Sequence, residues 1–247
     1  MRSVRAAWRL LRMGLHLLHG MAVMALQFPR LDAAGRHGRI RWWSAKLVRM
    51  AGLQLVVSGT PRPGATLLVA NHVSWLDIAA VHALAPQARF VSKADVLAWP
   101  LLGRLIRAAG TLFIERERKR DALRVVHQIA QALKEGDIVA VFPEGTTGDG
   151  HGVLPFHANL LQAAIATEAP VQPVVLRYRD ARSAVSQAPS YVGDTSLAAS
   201  LWTTVMAEGL VVGVVVEAAQ GTRHADRRAL SEHLRETILG RLKEGSA

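Results

Sequence analysis

The chain of 247 residues contains no cysteine, which excludes disulfides, thiolate metal sites and a cysteine nucleophile. Acidic residues are few, 19 Asp and Glu against 30 Lys and Arg, and the resulting formal charge of +11 attracts anionic partners. An uninterrupted apolar run of membrane-spanning length is also missing. The stretch from Met13 to Phe28 is broken by His16, His19 and Gln27, falls short of the ~20 residues a comfortable span needs, and is followed by no convincing small-residue cleavage site. A retained, half-inserted anchor is therefore expected rather than a cleaved signal peptide. The chain has no Gly-x-Ser-x-Gly elbow either: Ser58 lies outside any such pattern and Ser74 sits inside a histidine motif, which argues against an α/β hydrolase.

What charge there is lies mostly at one end. Residues 1–50 hold ten Arg and Lys against one acid, Asp32, so nine of the eleven net charges sit in the first fifth of the chain. Anionic lipid, nucleic acid and an acidic carrier protein would all respond to such a segment. Its companions Trp8, Leu10, Leu11, Leu15, Leu17 and Leu18 are lipid-like and lack the aromatic interleaving that stacks bases, so a membrane surface is expected and nucleic acid is not. A second basic amphipathic segment, Gly38 to Gly52, sets Trp42 and Trp43 among Arg39, Arg41, Lys46 and Arg49. It suits the headgroup layer and equally a helix packed on the domain.

Half of the residues are hydrophobic and the mean hydropathy is +0.18, which suggests contact with a membrane rather than immersion. The length allows one sizeable domain. We expect membrane-anchoring helices over residues 1–52 and a catalytic α/β domain over 53–247. Short β-like runs at Leu53–Ser58, Ala65–Ala70, Arg89–Ser92, Thr111–Ile114, Ile138–Phe142, Val171–Arg177 and Leu210–Val216 alternate with helical stretches at Trp75–Ala85, Pro100–Ala109, Asp121–Glu135, His157–Ala166, Leu197–Ala207 and Asp226–Leu242. That alternation predicts a sheet flanked by crossover helices. The polar stretch Asp180 to Ser196 is expected to be irregular.

Three constellations carry chemistry. Asn71-His72-Val73-Ser74-Trp75-Leu76-Asp77 follows an apolar strand. A histidine at that strand end can take a proton from an alcohol, and a carboxylate five residues on can fix its tautomer. By spacing alone, a helix cap with an incidental histidine explains the same residues better. Phe142-Pro143-Glu144-Gly145-Thr146-Thr147 follows a second apolar strand, where N–H and hydroxyl donors could hold an oxyanion or polar head group; an ordinary turn would look alike. Gly110 to Arg118 is a strand ending in charge, where Arg116 could grip a phosphate or carboxylate.

In this order the three segments resemble the lysophospholipid acyltransferase family, which forms phosphatidic acid and whose motifs are Asn-His-x4-Asp and Phe-Pro-Glu-Gly-Thr. The resemblance runs from about Leu53 to Leu176. It places the catalytic pair on His72 and Asp77, acceptor binding on Arg116, and third-motif functions on Glu144 and Gly145 with Thr146 and Thr147. A fourth motif falls around Pro173, and Lys93 with Trp99, Pro100 and Gly103 matches the segment between the first two. It implies no cofactor beyond a thioester co-substrate, acyl-carrier protein or coenzyme A, no metal, a lysolipid acceptor, and a place on the cytoplasmic face of the inner membrane. Many members carry arginine where this chain has Thr147 followed by Gly148-Asp149-Gly150. That departure, and Val153-Leu154-Pro155-Phe156 beyond it, is similar to the branch that acylates lyso-ornithine lipids. The rival readings are a non-enzymatic lipid-binding protein and a lipid hydrolase.

Overall fold

The structure, a computed structural model, describes residues 2–98, 102–114 and 119–244. Seven strands form one sheet in the order β1-β7-β6-β2-β5-β3-β4. They are β1 (Leu53–Ser58), β2 (Thr66–Ala70), β3 (Arg89–Lys93), β4 (Leu112–Ile114), β5 (Ile138–Val141), β6 (Val171–Arg179) and β7 (Leu210–Val216). Pairing is parallel except between β6 and β7, so β1 and β7 run against the other five. The sheet is mixed, and helices cover both faces, as the alternating runs predict.

The two central strands are apolar throughout because both of their faces are covered. In β2, Leu68 and Ala70 face one core while Leu67 and Val69 face the other, and in β5 Ile138 and Ala140 oppose Val139 and Val141 in the same way. The first core also takes residues of α1 (Arg2–Leu26), α2 (Ala33–Met50), α3 (Asp77–His82) and α7 (Leu197–Met206). The second takes residues of α5 (Lys119–Lys134), α6 (Gln162–Thr167) and α8 (Arg227–Glu244), where Leu230, Leu234, Ile238 and Leu242 repeat at helical spacing. The remaining helix, α4 (Leu102–Ala108), lies beside α1.

Two helical stretches differ from expectation. Over 157–166 the chain makes a 3-10 turn, Ala158–Leu161, before α6 begins, and α6 ends on Glu168 in the left-handed conformation, φ 53°. The stretch Trp75–Ala85 narrows to Asp77–His82: a turn closed by the Asp77 N–H on the Ser74 carbonyl (3.1 Å) precedes it, and a turn closed by the Leu84 N–H on the Val81 carbonyl (3.1 Å) follows.

The N-terminal anchor expected over Met13–Phe28 is part of a longer helix. The arginines at 2, 5, 9 and 12 are good helix formers and extend α1 to 25 residues. Among the described residues no helix is long and apolar enough to cross a membrane. The helix is two-sided instead: Ala6, Met13, His16, Gly20 and Val23 are buried, and Val4, Trp8, Leu11, Leu15 and Leu18 form an exposed apolar row. Arg9 fastens it to the body by donating to the carbonyls of Val205 (2.7 Å) and Ala207 (3.0 Å), the unpaired end of α7. Its guanidinium lies where a side chain at Gly52, φ +96°, would collide with it. The exposed pairs of Arg2 and Arg5 with Glu208 add little by comparison. Against α2, Trp43 donates from Nε1 to the His16 carbonyl (3.0 Å), His16 Nε2 meets the Trp43 carbonyl (2.9 Å), and Gly20 makes room for the indole.

Candidate active site

The site forms at the carboxyl ends of β2 and β5, the edge where open parallel sheets hold ligands. At the end of β2 the Asn71 side chain replaces strand pairing. Its Nδ2 donates to the Leu176 carbonyl (2.9 Å) and its Oδ1 accepts the Leu176 N–H (2.8 Å), which frees the backbone to leave the sheet. The next three residues are then pinned group by group. The His72 N–H donates to Glu144 Oε1 (2.7 Å), and the His72 carbonyl accepts from the Gly148 N–H (2.7 Å). The N–H groups of Val73 and Ser74 both donate to Asp77 Oδ2 (2.7 and 2.9 Å), while the Val73 carbonyl accepts from Tyr191 N–H (3.1 Å).

The same Asp77 oxygen lies 2.8 Å from His72 Nδ1. A carboxylate only accepts, so the contact fits a ring that donates from Nδ1, and in the neutral tautomer that does so Nε2 is the acceptor. Asp77 is 0 % exposed, whereas the His72 side chain is 19 % exposed. The imidazole ring stacks on Phe142 with 4.0 Å between centroids and 10° between planes, and Phe142 rests in turn on Phe90. This is a histidine with one nitrogen buried on a carboxylate and the other free to work as a base.

Glu144 is a buried clip. Its second oxygen, Oε2, accepts the Leu154 N–H (2.7 Å), so one carboxylate joins the His72 backbone to the loop 149–156. Burial pushes its carboxyl above the usual carboxylate range, against the pull of the two amides. Gly145, φ 70°, makes the turn in which its own N–H donates to the Phe142 carbonyl (3.0 Å). That N–H is therefore occupied, and of the turn expected to hold an oxyanion only the Thr146 and Thr147 amides have no recorded partner among the described residues. The Thr147 hydroxyl donates to the Tyr191 carbonyl. Gln187 Nε2 donates to the Asp149 carbonyl (2.8 Å). The irregular stretch 180–196 is thus sewn to the third motif and forms one wall of the site.

Lys93 ends β3, which pairs with β5, and Pro173 sits in β6 opposite Val69. Arg116, Trp99 and Pro100 lie outside the described residues, as does the Lys93 side chain. Sequence reasoning placed Asn71 in the first motif without foreseeing its bridge to Leu176, and passed over Tyr178. The Tyr178 hydroxyl donates to Asp77 Oδ1 (2.6 Å), and both groups are buried. Alternation along β6 puts Tyr178 on the same face as Val174 and Leu176, and a buried phenol needs a partner; that is the signal in the sequence. Ser74, the serine inside the first motif, is 0 % exposed with its hydroxyl accepting from Leu76 N–H (3.3 Å), which does not suit a nucleophile.

A histidine held on a buried carboxylate at a strand end has the geometry to take a proton from an alcohol. A sequence model of the family described as Acyltransferase matches residues 54–177, which contain all of these groups but Tyr178 and Tyr191. The chain belongs to this family and is an acyltransferase. It is 38 % identical over 188 residues to a 1-acyl-sn-glycerol-3-phosphate acyltransferase of Neisseria gonorrhoeae, covering 76 % of this chain and 73 % of that one. It is 36 % identical over 213 residues to a lyso-ornithine lipid O-acyltransferase of Pseudomonas aeruginosa, covering 86 % and 81 %. The crystal structure of the 1-acyl-sn-glycerophosphate acyltransferase of Thermotoga maritima shares the fold, with a TM-score of 0.72 over 99 % of this chain and 97 % of that chain at 20 % identity.

Proposed function

We propose that the protein transfers a fatty acyl group from a thioester donor, acyl-carrier protein or coenzyme A, to the hydroxyl of a lysolipid at a membrane surface. The observation that carries this reading is the His72–Asp77 contact at 2.8 Å, with no partner on Nε2 and no nucleophilic side chain bonded to the ring among the described residues. His72 Nε2 takes the proton from the lysolipid hydroxyl while that oxygen attacks the thioester carbonyl. The N–H groups of Thr146 and Thr147 face the developing oxyanion, Asp77 holds the imidazolium, and the carbon–sulfur bond breaks as the sulfur takes the proton back from Nε2. The products are an ester and a free thiol. Arg116 and Lys93 are the cations assigned to the polar end of the acceptor.

Among acceptors, the stretch after Thr146 favours lyso-ornithine lipid over a phosphate monoester. Thr147 is tied to Tyr191 and is followed by Gly148 and Asp149, so this turn brings no cation to a dianion. The helices of 1–52, with their apolar row and nine net positive charges, hold the site at the cytoplasmic face of the inner membrane.

The test is thiol release from each thioester with lyso-ornithine lipid and lysophosphatidic acid offered separately. His72→Ala should fold and lose turnover by ~10²–10⁴-fold. Near-normal turnover in a folded His72→Ala protein would remove the mechanism, and release with lysophosphatidic acid alone would reverse the order of acceptors.

A further inference from the structure

The acyl-transfer step above uses one oxygen of Asp77, and the other is taken by a residue the step does not use. Oδ2 accepts from His72 Nδ1 and the Val73 and Ser74 amides, and Oδ1 accepts from the Tyr178 hydroxyl at 2.6 Å. Asp77 comes from the start of α3 and Tyr178 from β6, 101 residues apart in the chain. We propose that Tyr178 is a positioning residue for the acyl-transfer reaction, acting through Asp77 on the orientation and proton affinity of His72. The proposal rests on the reading of His72 as the general base.

Two physical effects follow from the bond. With both oxygens held, the carboxylate cannot rotate about its Cβ–Cγ bond, and the imidazole it orients is fixed in plane by Asp77 and on its face by Phe142. A short O–H···O⁻ bond also draws negative charge toward Oδ1, and in a buried site that charge is not replaced from solvent. Less charge on Oδ2 means a weaker hold on the imidazolium that forms during transfer.

The surroundings keep Tyr178 in the donor role. Burial, and then the charge of Asp77, hold its phenol well above the ordinary value. Among the described residues the other titratable group acting on the pair is Glu144, from the turn after β5, and both of its oxygens already accept peptide N–H groups. Among the described residues no lysine or arginine forms an ion pair with Asp77. Among the described residues Tyr178 is the side-chain donor on Oδ1, while the Val73 and Ser74 amides share Oδ2 with the imidazole.

The experiment compares wild type, Tyr178→Phe and His72→Ala by thiol release from acyl-coenzyme A or acyl-carrier protein, with whichever lysolipid supports turnover, across the pH range. Tyr178→Phe removes one oxygen and keeps the ring. It should lower kcat by ~10-fold or more with KM for both substrates within about twofold, and move the acid limb of the kcat/KM profile to higher pH by roughly half a unit or more. An unmoved acid limb in a folded Tyr178→Phe protein overturns the proposal, whether or not kcat falls, because a merely structural loss leaves the limb in place. If Tyr178→Phe does not fold, 3-fluorotyrosine at 178, a stronger donor of the same shape, should move the limb to lower pH, and an unmoved limb overturns it again. An active His72→Ala protein removes the general-base reading itself. An inactive one beside an unaffected Tyr178→Phe removes only the role of Tyr178.

Discussion

Glu144 holds two peptide N–H groups with its two oxygens, and a carboxamide cannot do the same. In Glu144→Gln, one amide loses its acceptor and meets an NH₂ group, at a cost of about 1–3 kcal/mol. For a chain of this size that lowers Tm by roughly 5 °C. Because one of the two amides is that of His72, kcat should fall as well, by ~10-fold or more, as the imidazole shifts. Scanning calorimetry and thiol release check both. An unchanged Tm would mean that the clip does not hold both amides as an ionised carboxylate. At this scale the sequence was readable where partners are close along it. His72 and Asp77 are five residues apart, a spacing that fits a helix cap as well as a paired base and carboxylate, and the order of the three motifs is what favoured the pair. Asn71 meets Leu176 and Asp77 meets Tyr178 across more than a hundred residues, a pairing that depends on β2 and β6 being neighbours, which no local pattern states.

Among the elements, α1 makes the sharpest prediction. Its row of Val4, Trp8, Leu11, Leu15 and Leu18 stays exposed among the described residues. Replacing Trp8 and Leu15 together by aspartate should therefore leave Tm nearly unchanged. It should weaken sedimentation with anionic phosphatidylglycerol vesicles by at least about tenfold, since each side chain forfeits ~1.5–3 kcal/mol of apolar burial. Unchanged vesicle binding would show that the row faces something other than lipid. The seven strands were legible in the sequence to within a residue or two, because buried parallel strands are short and apolar on both faces. Helix lengths were less so: α1 grew at its arginine-rich start, and α3 shrank as its two ends became turns.

For the whole molecule, stability should depend on pH through His82, which lies between α3 and β3 with Nε2 on the Ala88 carbonyl (3.0 Å) and its ring edge-on to Phe90. Burial lowers its pKa from 6.5 to about 4. Between those values the unfolded chain binds a proton that the folded chain refuses. The contribution is complete above pH ~6.5 and is lost as pH falls through about 4, in all roughly 3 kcal/mol. Urea unfolding at pH 7 and pH 4.5 should show most of that difference. His82→Gln, which can still donate to Ala88, should flatten it, and a persistent slope would place the acid sensitivity elsewhere. Strand order was the part of the architecture hidden from sequence reading. Alternating runs imply parallel crossovers, yet the chain returns through α7 to lay β7 antiparallel on β6, and only then does β1 gain a neighbour.

The Arg9 fastening ties α1, with its apolar row, to the end of α7 beside Gly52. Under the proposed function, an enzyme seated on a bilayer by that row would neither extract its substrate nor let the product go into water. It would travel sideways among lipids and meet lysolipid by diffusion in two dimensions. Its turnover is then governed by the mole fraction of lysolipid in the leaflet, so that diluting the surface with inert phospholipid slows it while adding more vesicles of the same composition does not.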